Sequence, residues 1–293
     1  MANLKEIRNR IASVTSTRKI TSAMKMVSAA KLRKAQEAII RIRPYADRLH
    51  TILTNLSDSI RGDEDNPYSV ERDLEKIMII VIASNRGLCG AFNSLVIKRA
   101  MQVAHEDYPN LMRQKKVDFY TIGKRGSDFF QNKKYPLAGV KNELFDDLTF
   151  DNVMPVAGEI MDHFISGEYD RVMLVYNQFK NAAVQILTTE QFLPVLIPEK
   201  TDEDSIIADY IYEPSKEYIV RELIPRSLKI QFYKALLDSN AAEHGARMTA
   251  MHMATDNATE LLRELNLNYN KARQAAITSE LLEIVSGAEA LKG

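Results

Sequence analysis

From Leu237 onward, apolar or small residues return at alternating steps of four and three, through Ala241, His244, Met248, Met251, Thr255, Ala258, Leu262, Leu265, Tyr269, Ala272 and Ala276. A period of 3.5 sustained this far predicts a coiled-coil seam rather than one face of a globular helix. Near the other end, Leu4, Ile7, Ile11 and Val14 start the same pattern, and Met24, Val27 and Leu32 continue a looser stripe. Small residues recur along both stripes (Ala12, Ser28 and Ala35; Ala241, Ala258, Ala272 and Ala276), so the two backbones are expected to approach closely in a thin shaft. Between the stripes the pattern changes. Short apolar runs at Ile77–Ala83, Val117–Ile122, Arg171–Tyr176 and Val184–Thr189 predict strands, and helical patterns fall near Phe92–His105, Lys124–Asn132 and Asn152–Ser166. Strands alternating with helices predict a mostly parallel sheet.

Punctuation residues divide the chain in the same way. All nine prolines lie from Pro44 to Pro225, and apart from Pro44 nothing before Gly62 breaks a helix. Residues 3 to about 60 and 226 to about 286 are therefore expected to be helical, with a bend at Pro44. Sixty helical residues would span roughly 90 Å, against a mean helix of about 11–12 residues. A helix of that length needs another helix or another protein to cover it. The expected architecture is α/β: a long antiparallel two-helix coiled coil of the N- and C-terminal helices, plus a central, Rossmann-like α/β domain. The expected divisions are residues 1–60, a linker at 61–75, the α/β domain at 76–210 and the last helix at 211–293. A plain helical bundle is the alternative.

Charge sharpens the picture. The net charge is zero, yet residues 1–50 hold twelve Lys/Arg against three Asp/Glu, residues 226–293 hold eight of each, and the middle carries a net of −9. The single cysteine, Cys89, excludes an internal disulfide and any multi-cysteine zinc site. The longest apolar run, Ile77 to Ala83, is far shorter than the roughly 20 residues of a membrane span. The opening MANLKEI reads as neither a secretory nor a transit segment.

Candidate chemistry is sparse. The loop SNRGLCGAFN (84–93) follows a predicted strand and precedes a predicted helix, where a phosphate would sit. Its glycines, Gly87 and Gly90, satisfy neither G-x-x-x-x-G-K-[ST] nor G-x-G-x-x-G, and GKRGS at 123–127 also fails both. A tight turn is the expected reading. Cys89, with Arg86 nearby, is a weak candidate nucleophile against the commoner fate of a buried thiol. His252 and Asp256 could face one ion, but two ligands make no site. The basic first helix could track a phosphate backbone, yet no aromatic residue precedes Tyr45 and no nucleic-acid module is present. No cofactor, metal or nucleic acid is expected. A stand-alone α/β enzyme with helical arms and a coiled-coil nucleic-acid binder are the rival readings.

Several long stretches carry a family resemblance. ITSELLEIVSGAEA (277–290) resembles the signature of the gamma subunit of F-type ATP synthases at each of its fixed positions. ARMTAMHMATDNA (246–258), YNKARQAAIT (269–278) and RNRIASVTSTRKITSAMKMVSAAKLRKAQ (8–36) continue it. SNRGLCGAFN is similar to the family's S-D-R-G-L-C-G-G-F-N, with Asn85 in place of Asp and Ala91 in place of Gly.

The resemblance implies a central rotor shaft that couples proton flow to ATP synthesis without being catalytic itself. The implied partners are three alpha and three beta subunits, an epsilon subunit and the membrane c-subunit ring. It implies that Arg273, Gln274 and Glu280, with Lys19, Ile20, Met24 and Lys25 beside the same zone, meet the beta subunits. Tyr210, Tyr212 and Glu213 would face the c ring and epsilon, and Arg247 would sit mid-shaft. The tip from Ala275 to Leu291 would turn in an apolar sleeve. A peripheral place on the cytoplasmic face of a bacterial inner membrane is the implied location, with a mature mitochondrial form as the alternative. A chain whose one cysteine is Cys89 cannot carry the redox-switched pair of chloroplast members.

Overall fold

The computed structural model describes residues 4–55, 67–195 and 216–290. Two long helices, α1 (Leu4–Asn55) and α6 (Lys216–Ala290), flank a five-stranded sheet in the chain order β1 (Ile77–Ile82), α2 (Phe92–Gln102), α3 (Pro109–Arg113), β2 (Val117–Ile122), α4 (Lys124–Asn132), β3 (Leu137–Val140), α5 (Phe150–Ile165), β4 (Arg171–Phe179) and β5 (Gln185–Leu193). A π-helical turn (Val103–Asp107) extends α2, and a 3-10 turn (Glu143–Phe145) precedes α5. Contacts group the chain into two compact units, one of Met1–Ser28 with Met248–Gly293 and one of Ala29–Arg247.

In the larger unit the sheet has the order β3-β2-β1-β4-β5. The first four strands are mutually parallel, and β5 returns antiparallel along β4. The central strand β1 reads IMIIVI, and all six residues are buried. A strand apolar on both faces needs helices on both. Ile77, Ile79 and Val81 share a core with Val96, Ile97 and Ala100 of α2. Met78, Ile80 and Ile82 face the other way, with Val153, Ala157 and Ile160 of α5 and Leu228 and Phe232 of α6. Thr149 caps α5, its hydroxyl accepting from the Asn152 amide at 3.4 Å. α6 passes so close to the β4–β5 turn that a Cβ on Gly245 would lie 3.2 Å from the Ala182 backbone.

In the smaller unit the two helices pair antiparallel. Arg8 donates to the Tyr269 hydroxyl at 2.9 Å, Thr21 and Thr255 share a hydroxyl hydrogen bond at 2.8 Å, and Lys25 Nζ lies 3.3 Å from His252 Nδ1. Numbers rising along α1 thus meet numbers falling along α6, as the seam predicts.

The structure corrects several expectations. Along α1, the buried and half-buried positions include Ile7, Ile11, Val14, Arg18, Thr21, Lys25, Ser28, Leu32, Ala35 and Ile39, a strict alternation of four and three. Its polar middle hides it from a reading by hydrophobicity. Val27, assigned to the stripe, is 58% exposed, and Ala12 is exposed too. At the far end the seam stops at Ala272, and Ala276 is exposed, because no described residue of α1 lies opposite it.

α6 starts at Lys216 rather than after Pro225, and both long helices run through their prolines, Pro44 and Pro225. A proline there removes a backbone hydrogen bond, and apolar packing of Ile224 and Leu228 on either side of Pro225 offsets that loss. The edge strand β3 is an addition to the expected strands, since the run PLAGV combines proline and glycine. Its Gly139 lies against the Tyr120 ring, where a Cβ would come within 2.3 Å.

Candidate functional site

A doubly wound sheet of this order reverses its winding between β1 and β4, and a ligand would enter at the carboxyl ends of those strands. Here that crevice is filled by protein. Ser84 donates its hydroxyl to the Arg86 carbonyl at 2.6 Å, its amide donates to Asn93 Oδ1 at 2.9 Å, and Asn93 Nδ2 donates to Ser84 Oγ and Cys89 Sγ. Cys89 and Phe92 form a small core with Ala242 of α6, joined by Phe179 and Ala246. Above them Arg247 reaches from α6 into the loop, donating from Nη2 to the carbonyls of Arg86 at 3.1 Å and Gly87 at 3.4 Å. Its Nη1 binds Glu243 Oε1 at 2.5 Å, and both side chains are 9% exposed. The loop carbonyls that would back a phosphate cradle therefore face a guanidinium of the same chain.

Electrostatics agree with a packed joint. Burial pushes the Cys89 thiol up, so it is no thiolate nucleophile. Burial, with Arg247 and Lys31 adding to it, holds His244 down to about 4, and the ring is neutral at pH 7. Asn85 uses both ends of its amide: Oδ1 accepts from the Lys124 amide at 2.9 Å, and Nδ2 donates to the Asn142 carbonyl at 2.8 Å. An aspartate there could make only the first of these.

The helix-pair residues fall in two bands. Lys19 and Ile20 are exposed on α1, while Met24 and Lys25 are half-buried. The pairing of Lys25 with His252 and Thr21 with Thr255 sets this band level with residues 252–257 of α6. Arg273, Gln274 and Glu280 are exposed on α6 beyond Tyr269, which lies opposite Arg8. The rise of a helix separates the bands by roughly 25–40 Å. The first-helix residues are thus not beside Arg273 and Gln274, as the motif order suggested. Past Ala272 no described residue covers the helix on any side, and Ile277, Leu281, Leu282, Ile284 and Val285 are exposed.

His252 pairs with Asp256 at 3.3 Å, and among the described residues no group of three or more His, Cys, Asp or Glu side chains could hold a metal. Tyr210, Tyr212 and Glu213 lie outside the described residues. Sequence reasoning missed Glu243 and the polar contacts of Thr21, Lys25 and His252 in the seam. The unbroken step of four and three was the signal that could have found the α1 positions.

The hydroxyl pair gives a direct test. Thr21→Val should cost about 1 kcal/mol, because it strips a part-buried hydroxyl of its cross-helix partner. Thr255→Val added to it should recover most of that loss. A double-mutant cycle by denaturant unfolding measures the coupling, and strict additivity would remove the hydrogen bond from the account.

A family model described as ATP synthase matches residues 3–291. The ATP synthase gamma chain of Flavobacterium johnsoniae is 58% identical over 293 residues, covering 100% of both chains. That of Chlorobaculum tepidum is 45% identical over 292 residues, again covering 100% of both. Among solved structures, a chain of the Euglena gracilis mitochondrial ATP synthase OSCP/F1/c-ring assembly is similar in fold, with a TM-score of 0.67 at 20% identity over 98% of this chain and 94% of that one. The chain belongs to the ATP synthase family, among its gamma chains.

Proposed function

We infer that the chain is the central rotor shaft of an F-type ATP synthase, a non-catalytic subunit that carries torque between a membrane c ring and an alpha/beta hexamer. The observation that carries this reading is the uncovered end of α6: beyond Ala272 no part of the described chain packs on it, yet it bears five large apolar side chains. Apolar surface on that scale belongs against another protein. The proposed cover is the alpha/beta hexamer, a reading in keeping with the full-length likeness to gamma chains. Three alpha and three beta subunits, an epsilon subunit and the c ring are the proposed partners. Its place is peripheral, at the cytoplasmic face of a bacterial inner membrane. No helix among the described residues is long and apolar enough to cross a membrane.

The work is done by differential contact. A shaft shifts a beta subunit among its states only by touching those states unequally. The band of Lys19, Ile20, Met24 and Lys25 and the band of Arg273, Gln274 and Glu280 are the proposed points of contact. The filled crevice at β1 and β4 supports a non-catalytic role, since α6 occupies the place a nucleotide would take.

Reconstitution with alpha and beta subunits tests the reading. The chain should complete an ATP-hydrolysing complex in which it rotates. Arg273→Ala with Gln274→Ala should lower assembly or turnover about tenfold, the equivalent of about 1.4 kcal/mol of lost contact. A chain that neither joins the ring nor alters its hydrolysis would end the proposal.

A further inference from the structure

At the rim of the helix pair a single ring nitrogen stands between two partners that make opposite demands on it. Lys25 Nζ of α1 lies 3.3 Å from His252 Nδ1, and Asp256 Oδ2, one turn further along α6, lies 3.3 Å from the same atom. Among the described residues these are the charged side chains against the ring, one from each helix. The neighbouring layer of the pairing is fixed. Met251 is 5% exposed, Thr21 is 8% exposed, and Thr21 shares its hydroxyl hydrogen bond with Thr255 at 2.8 Å. Lys25 is half-buried. The His252 and Asp256 side chains are 56% and 65% exposed, so a proton reaches the ring from bulk water without opening the pair. The two backbones are thus held in place while the side chains at the rim are free to change partners.

An ammonium offers only N–H donors and a carboxylate only acceptors. Lys25 therefore needs Nδ1 as a lone pair, whereas Asp256 needs it as an N–H. A neutral ring with its proton on Nε2 serves Lys25. A protonated ring carries N–H on both nitrogens, so its Nδ1 donates to Asp256 and its charge repels Lys25. We propose that His252 is a proton-driven exchange point in the helix pair, giving up its cross-helix partner Lys25 for its own-helix partner Asp256 as it takes up a proton. One proton from water enters at Nδ1, Lys25 stays an ammonium, and no covalent bond between heavy atoms forms or breaks. Histidine is the side chain suited to such an exchange between about pH 5 and 8. Lys25 belongs to the band proposed to touch the beta subunits, and only the consequence for a partner rests on that reading. Acidification turns an ammonium out of the helix pair and offers it to an acidic surface, while His252 and Asp256 neutralise each other.

The full chain, labelled with nitrogen-15 at histidine and followed by NMR, supplies the test, and His252→Gln identifies the signal of residue 252. Lys25→Met keeps the aliphatic stem and removes the ammonium, so the ring should take up its proton about threefold more readily. Asp256→Asn should make uptake about threefold less ready. Carbon relaxation at the Lys25 ε-methylene should show a looser side chain at about pH 5 than at about pH 8 in wild type. In His252→Gln the looseness should be equal at both. None of the three substitutions removes a buried apolar side chain, so each variant should fold. Because no other subunit is present, loss of the rotor reading and loss of the exchange are told apart. Equal proton affinity in wild type, Lys25→Met and Asp256→Asn, or a Lys25 side chain held equally at both pH values in wild type, would overturn the exchange.

Discussion

Replacing Arg247 by alanine should lower the melting temperature of the chain by about 10 °C, a large effect for one side chain. Arg247 is 7% exposed and holds four partners at once: the Glu243 carboxylate, the His244 ring at Nδ1 and the carbonyls of Arg86 and Gly87. Alanine leaves Glu243, also 7% exposed, charged in a place with little water. Breaking a buried pair from one side typically costs about 3–5 kcal/mol, much of it the unpaired charge. Replacing both partners with apolar or neutral residues of similar shape costs far less. Glu243→Gln combined with Arg247→Met should therefore regain most of the stability that Arg247→Ala loses. Thermal unfolding of the three variants decides it. A single mutant within about 2 °C of wild type (about 1 kcal/mol or less), or a double mutant no better than the single, would show that the pair does not hold the joint.

Gly123→Ala should prevent the larger unit from folding stably, with a loss above about 4 kcal/mol. Two independent causes meet at this position. Its φ is +102°, a conformation that side chains rarely adopt, and an added Cβ would lie 2.1 Å from the Ala83 carbonyl oxygen. That oxygen belongs to the end of β1, where the Ala83 amide donates to the Ile122 carbonyl at 2.8 Å, so neither strand can withdraw cheaply. Gly90 separates the two causes. Its φ is +59° but nothing lies within 4 Å of its Cβ position, so Gly90→Ala should cost only about 1–2 kcal/mol. Soluble yield and urea unfolding of both variants would show the contrast. Equal effects would mean that strain alone, and not the collision, governs the turn.

Much of the helix pair is legible in the amino-acid sequence. The α6 stripe from Leu237 to Ala272 is the buried seam, because a coiled coil repeats one local rule and each residue states its own face. The α1 stripe is half legible. Thr21, Lys25 and Ser28 occupy seam positions that hydrophobicity does not mark, and what places them there is the facing helix. The strands β1 and β2 are legible at almost their true bounds, since unbroken β-branched and aromatic runs have few other uses. β3 is not, because a four-residue edge strand owes its existence to pairing with β2 and to Gly139 lying under the Tyr120 ring.

The loop 84–93 marks the limit of local reading. Its residues and its strand–loop–helix setting suit a phosphate, and glycine spacing alone argues against one. The deciding group, Arg247, lies 161 residues from its acceptor Arg86 along the chain. Periodicity, apolar runs and motif identity are each written within a few dozen neighbouring residues. They are enough to specify the two amphipathic helices, the buried parallel strands and the likeness to gamma chains. The filling of the crevice and the two separate bands of contact residues arise only once the chain is folded. Each depends on distant side chains brought within bonding reach, and on the loss of water that gives a buried charge its consequence.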